Sequence, residues 1–285
     1  MSTASNASAL TADGTAAYKQ QVDAAAAALP DLDSSSAVAI MRDVDFDDVL
    51  REGTVEHTIP YATLPHYPAS DGTLTIGTLG GTQVIELDQA FHLYDGHTPR
   101  EVSFPVRMLA TAGIDSLLLG ATAGSVTAQA DRGDLMLLTD HINFQGQNPL
   151  VGPNVEEWGP RFPDMTAPYD VALRRRASDA AQREGISLRK GIYMGLLGPH
   201  HETTAEHRMA RRLGADAVGT GVVPEVLAAR HMGVDVMALA LLTDQHLTEG
   251  HASPSPDATP LRLGRSQMHR LLTTTVAGDP QPESR

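Results

Sequence analysis

The chain has 285 residues, a formal net charge of −14, 41% hydrophobic and 4% aromatic residues, and no cysteine. That length allows one large domain or two ordinary ones, and the absence of thiols excludes disulfides and thiolate zinc sites. So acidic a balance argues against nucleic acid or an anionic membrane surface as a partner.

In chain order, residues 1–15 read as a frayed tail without the basic-then-apolar pattern of a signal peptide. The first strand is expected over Val38–Met41, and its exit carries Asp43, Asp45, Asp47 and Asp48. Strands at Leu74–Leu79 and Gln83–Leu87 precede a helix over Arg100–Ala112. A strand at Ser116–Leu119 exits into GATAGS, and one at Leu135–Leu138 into TDHIN. Asn148 to Pro168 holds five prolines and no period, which points to a functional loop or an interface. A helix over Tyr169–Glu184, a strand over Gly191–Leu197 ending in GPHHET, and a helix over Thr204–Leu213 follow. GTGVVPE then leads into a helix at Pro224–His231. A strand over Val234–Leu242 ends in TDQH, and a last helix spans Leu261–Val276 before a tail at 277–285.

Several of these strands are apolar throughout, as expected for strands buried on both faces of a sheet. Their alternation with helices predicts a single α/β domain over 16–276 around a central mixed sheet. Ligands of such sheets bind beyond the carboxyl ends of the strands, where Gly, small residues and isolated polar groups collect here. No apolar run approaches the ~18–20 residues of a membrane span, so a cytoplasmic location is the default. Only Lys19 and Lys190 are lysines. That skew fits either a high-salt habitat, where screening relieves self-repulsion, or a GC-rich genome.

Asp43-x-Asp45-x-Asp47 mimics the start of a calcium loop, but Asp48 stands where that loop requires Gly and Thr54 where it requires Glu. HHETTAEH fails the zinc motif because Ala205 follows where a second His is needed. GATAGS lacks the lysine of a phosphate-binding Walker loop, and there is no serine-nucleophile elbow. No metal site is assigned. Residue types alone lead to a cleft containing His92, Glu202 and Asp244.

Taken in order, AFHLYDGHTPREVSFPVRML, RGDLMLLTDHINFQGQNPLVGPN, RFPDMTAPYD, GPHHETTAEHRMARRLGADAVG and VPEVLAARHMGV closely resemble the trimeric purine nucleoside phosphorylase family. The likeness covers roughly residues 37–246. It implies a mixed sheet partly closed into a barrel and flanked by helices, and a homotrimer. It also implies cleavage of purine nucleosides with inorganic phosphate as co-substrate and no other cofactor. By the same resemblance Glu202 accepts a hydrogen bond from the purine ring N–H, His201 packs on the base, and Asp244 faces N7 where 6-oxopurine-specific members carry Asn. Thr243, Ala123 and Gly124 complete the purine side. Tyr94 and Thr220 face the ribose, joined by Phe162 of a neighbouring subunit. A protonated Asp244 could donate to N7, its pKa raised by like-charge coupling to Glu202, which would admit 6-aminopurines. The family's histidine at the 5′-hydroxyl has no aligned counterpart, although His251 is near in sequence.

The phosphate side departs from the family pattern. The Asp43–Asp48 run takes the place of a Gly-rich loop, and Ala90, Ser70, Gly221 and Ala121 stand where the family has Arg, His, Ser and Asn. His92 and Thr122 remain. Losing a guanidinium and a Gly-rich nest removes donors that a phosphate needs, and adding carboxylates makes the local field hostile. Two further readings follow from that loss: hydrolysis or transfer to another acceptor, and a silent purine-binding relative.

Overall fold

The computed structural model describes residues 11–32, 37–127, 129–245 and 257–278. Nine strands lie in one sheet: β1 (Val38–Arg42), β2 (Thr54–Pro60), β3 (Thr73–Leu79), β4 (Thr82–Leu87), β5 (Ser116–Ser125), β6 (Leu135–Asn143), β7 (Leu188–Gly195), β8 (Ala217–Gly219) and β9 (Asp235–Gln245). Their order is β2-β3-β4-β1-β5-β8-β7-β6-β9, and β5 also pairs with β9. That last pairing closes β5, β8, β7, β6 and β9 into a barrel, leaving β2, β3, β4 and β1 as an open extension. The partly closed mixed sheet is therefore present.

Among the described residues six α-helices flank it: α1 (Ala12–Ala27), α2 (Pro99–Ala112), α3 (Val171–Glu184), α4 (Thr204–Arg212), α5 (Val223–His231) and α6 (Thr259–Ala277). One apolar cluster lies under α1, α2 and α5, and includes Val22, Met108, Val226 and Leu117. A second, under α3 and α6, includes Ala177, Leu271, Leu137 and Leu239. Along β5 the two sets alternate, Leu117 and Leu119 into one cluster and Leu118 into the other, because successive side chains point to opposite faces.

The helix starts are written locally. Thr98 and Thr203 each accept from the backbone three residues on, while Glu101 and Glu206 reach back, forming capping boxes at α2 and α4. Three expectations are corrected. Helix α1 begins at Ala12, inside the segment read as an N-terminal tail. Its Tyr18 hydroxyl donates to the Arg100 carbonyl at 2.7 Å, tying it to α2. Strands β2 and β8 were not expected. β2 is an exposed edge strand with no apolar alternation, and β8 has only three residues.

Candidate functional site

The exit of β1 sets the geometry. Arg42 ends the strand, and the Asp43 N–H donates to the Gly120 carbonyl at 2.7 Å, extending the β1–β5 ladder by one residue. Side chains 42 and 43 therefore leave on opposite faces. Arg42 turns toward Glu86, 3.2 Å away, and Asp48, 2.5 Å away. The buried Glu86 carboxylate also accepts from the Val49 and Leu50 N–H groups at 3.0 and 3.2 Å. Asp43 points the other way, and its Oδ1 meets His92 Nε2 at 2.8 Å.

The four carboxylates of this run thus do not act together. Asp45 pairs with Arg265 at 3.4 Å, Asp47 with Arg51 at 2.9 Å, and Asp48 with Arg42. Only Asp43 faces the cleft. This corrects the reading of the run as a collective negative field: one carboxylate, already partnered by an imidazole, enters the site. The others are held in ion pairs outside it.

His92 is buried and stacks on Tyr94, with ring centroids 4.6 Å apart and planes 12° from parallel. Burial works against an imidazolium there. The hydrogen bond and charge of Asp43, with Glu225 and Asp95 farther off, outweigh it and hold the imidazole above its ordinary value. Beyond this pair the backbone closes in. A Cβ on Gly198 would lie 2.8 Å from the Thr220 methyl and 3.5 Å from the Tyr94 ring, so a left-handed glycine packs between them. The Thr220 carbonyl accepts from Gln145 Nε2 at 2.9 Å. A Cβ on Gly221 would lie 3.3 Å from Asp43 Oδ2 and 3.8 Å from His92 Nδ1. Val222, next in the chain, holds φ at 72°, a strained value for a β-branched residue.

Two side chains that the sequence reading missed complete this half. Glu225 on α5 is 1% exposed, and burial pushes its carboxyl up to about 7, against the lowering effects of its own backbone N–H and of His92. Tyr193 on β7 is fully buried. Its ionisation is opposed first by burial and then by the charges of Asp43, Glu225 and Glu202. The signal for Glu225 was a lone acid inside the apolar run VVPEVLAA.

The other half sits where β5 and β9 run parallel. Gly124 lies opposite Asp244, just past a bulge at Ala123 and Gly124. The Thr243 hydroxyl lies 3.3 Å from the Ala123 carbonyl and 3.0 Å from Asp244 Oδ2, and its single proton can serve either. Thr122 precedes these residues on β5, pairing with Leu241. Glu202, in the loop before α4, lies 3.6 Å from Nε2 of the buried His207. Glu202 and Asp244 thus have separate partners, His207 and Thr243. The direct carboxyl–carboxyl coupling expected from the sequence is not among the contacts of the described residues.

Two further predicted residues stand apart. His201 is exposed, and Phe162 is 88% exposed with the Arg161 guanidinium 5.6 Å from its ring. Within one chain Phe162 joins no other site residue. His251 lies outside the described residues.

The phosphorylase superfamily profile matches residues 43–277. The chain is 41% identical over 191 residues to purine nucleoside phosphorylase 1 of Bacillus subtilis, covering 65% of this chain and 70% of that protein. It is 37% identical over 238 residues to the purine nucleoside phosphorylase of Bos taurus, covering 80% and 82%. Among solved structures, isoform 2 of purine nucleoside phosphorylase from Schistosoma mansoni, in complex with cytosine and ribose-1-phosphate, superposes with a TM-score of 0.83 at 28% identity, covering 92% of this chain and 98% of that one. A Schistosoma mansoni purine nucleoside phosphorylase in complex with inosine gives 0.82 at 29% identity, with the same coverage.

Proposed function

Because the chain belongs to the phosphorylase superfamily, and within it to the purine nucleoside phosphorylase family, we propose that it cleaves the N-glycosidic bond of purine nucleosides with phosphate, releasing free base and ribose 1-phosphate. The observation that carries this reading is the convergence of Tyr94 and Thr220 on Gly198, beside the stacked His92, at one end of the barrel. It forms a small-walled floor with a hydroxyl and a phenol suited to a sugar.

In this reading Tyr94 and Thr220 orient the ribose, and Phe162 of a neighbouring subunit covers it. The 88% exposure of Phe162 supports a homotrimer in which that ring is buried by a partner. Glu202 accepts from the purine ring N–H, with His201 closing over the base. Asp244, held by Thr243 beside Ala123 and Gly124, serves the N7 edge. As the glycosidic bond lengthens, negative charge develops on the purine, and a proton at N7 lowers the barrier to its departure. Phosphate approaches the anomeric carbon from the side of His92 and Thr122. It finds an imidazole held toward the charged state, but also the Asp43 carboxylate, so its affinity is low. We place this activity in the cytoplasm and in purine salvage; among the described residues no helix is long and apolar enough to cross a membrane.

The test is incubation of inosine, guanosine and adenosine with and without phosphate, following free base and ribose 1-phosphate. Phosphate-dependent formation of ribose 1-phosphate supports the proposal. Failure to form it at any phosphate concentration refutes it.

A further inference from the structure

The corner formed by Asp43, His92, Gly221 and Glu225 is built to hold a hydrogen-bond donor rather than an anion. Asp43 uses Oδ1 on His92, and no hydrogen bond reaches its Oδ2 among the described residues. That second oxygen lies against Gly221, where a Cβ would come within 3.3 Å. Two more polar atoms in this corner are buried without a hydrogen-bond partner in the structure, His92 Nδ1 and Glu225 Oε2. Their residues are 8% and 1% exposed. Buried polar atoms are seldom left without a partner, so a small polar guest is indicated. Phosphate brings oxygens, and this corner offers the Asp43 carboxylate against His92, with the charge of Glu225 felt by both. Water brings two donors and two acceptors, which suits a corner presenting both signs.

We infer that Asp43 and His92 hold a water molecule at Gly221, and that Asp43 activates it to cleave purine nucleosides by hydrolysis. The inference rests on the reading that the cleft binds purine nucleosides, and changes the acceptor used there. Water donates one hydrogen bond to Asp43 Oδ2 and meets His92 Nδ1, the two polar atoms that border Gly221. Its oxygen faces the sugar platform of Tyr94, which stacks directly on His92. In the step itself the water oxygen bonds to the anomeric carbon while the carbon–nitrogen bond breaks, its electron pair leaving with the purine. The departing water proton passes to Asp43, and the purine takes one proton at N7 from solvent. Products are free ribose and free base, and exchange with solvent restores the Asp43 carboxylate. His92 stays hydrogen-bonded to Oδ1 throughout, fixing the carboxylate so that Oδ2 faces the water. General-base assistance of this kind is worth about 10²–10⁴-fold.

The experiment uses the full chain with inosine, guanosine and adenosine in ¹⁸O-labelled water, in phosphate-free buffer and in a parallel arm with inorganic phosphate. Sugar products are separated into ribose and ribose 1-phosphate, and nucleoside binding is measured separately by calorimetry. Labelled ribose, formed at a rate that falls about 100-fold or more in Asp43→Asn while nucleoside affinity stays within about threefold, supports the inference. Gly221→Ser provides a second variant, because its hydroxyl would occupy the space beside Oδ2. It should lower ribose formation at least tenfold. Base release only with phosphate, as ribose 1-phosphate, overturns the inference and leaves the family reading standing. Ribose formation undiminished in Asp43→Asn overturns it as well. Nucleoside binding without cleavage under either condition overturns the inference and the phosphorolytic reading together. Absence of binding overturns the cleft assignment beneath both.

Discussion

Asp43 Oδ1 and His92 Nε2 lie 2.8 Å apart, joining the exit of the first strand to the turn that carries Tyr94. The bond spends on a carboxylate the side chain best able to face an incoming anion. Any anionic acceptor must compete with Asp43 for His92 and approach a like charge as it does so.

Removing that carboxylate should therefore favour phosphate. Two like charges about 4 Å apart at an effective dielectric near 20 repel by about 4 kcal/mol, an upper bound because Asp43 is already paired. Asp43→Ser is expected to lower the KM for phosphate by about tenfold to a hundredfold. Initial rates against phosphate at saturating inosine measure this, and an unchanged KM would show that Asp43 does not control the anion.

Asp244→Asn should narrow base choice. Asn carries a permanent amide donor beside its acceptor, and it is the residue that 6-oxopurine-specific members of the family carry there. The ratio of kcat/KM for inosine over adenosine is expected to rise at least tenfold. Glu202→Ala removes a charged acceptor and should cost about 1.5–3 kcal/mol, roughly ten- to a hundredfold in kcat/KM for both nucleosides. A loss confined to one nucleoside would contradict the role given to Glu202.

Stability should depend on Glu225. Its pKa is about 7 in the fold against an ordinary 4.5. Between those values the native chain binds more protons than the unfolded one, so stability falls as pH rises. The contribution is complete below about 4.5 and lost as pH passes through about 7. His92, also raised in the fold, acts in the same direction: its contribution is present below 6.5 and lost as pH climbs past its raised value. Thermal melts from pH 5 to 8 should show a declining Tm, and Glu225→Gln should flatten the decline by up to about 1.4 kcal/mol per pH unit. A slope identical in the variant would remove Glu225 as its source.

Phe162→Ala tests the partner subunit's part. The ring is 88% exposed on one chain, so removing it should leave the Tm of an isolated chain nearly unchanged. In the assembled protein it should raise the KM for nucleosides several-fold while kcat changes less. Light scattering on the same sample reports whether the assembly is a trimer.

Much of this was legible in the sequence, for physical reasons that can be named. β1, β5 and β9 are near-continuous apolar runs because they are buried on both faces, and their exits pointed to the cleft. Glu202 and Asp244 sat inside recognisable motifs. The partners of Asp45 and Asp47 were not legible, because they depend on where a distant helix brings Arg265 and on which way the Arg51 side chain turns. Glu225 was invisible for a related reason. A carboxyl in an apolar helix announces that it is buried, but not that the charges of His92 and Asp43 act on it. Helix α1 was missed because its face is built largely of alanine and threonine, with Tyr18 and Val22 as its only large buried residues.

The anchoring of the first loop has a consequence for how such a protein can change. The segment after β1 is fastened by Glu86, which accepts from two backbone N–H groups and pairs with Arg42, on the face away from the cleft. Asp43 takes no part in that fastening beyond its backbone bond to Gly120. The side chain that meets the acceptor can thus be exchanged while the loop that presents it stays put. Holding the loop in place and setting the charge it shows to the cleft are therefore separate tasks, and position 43 carries only the second.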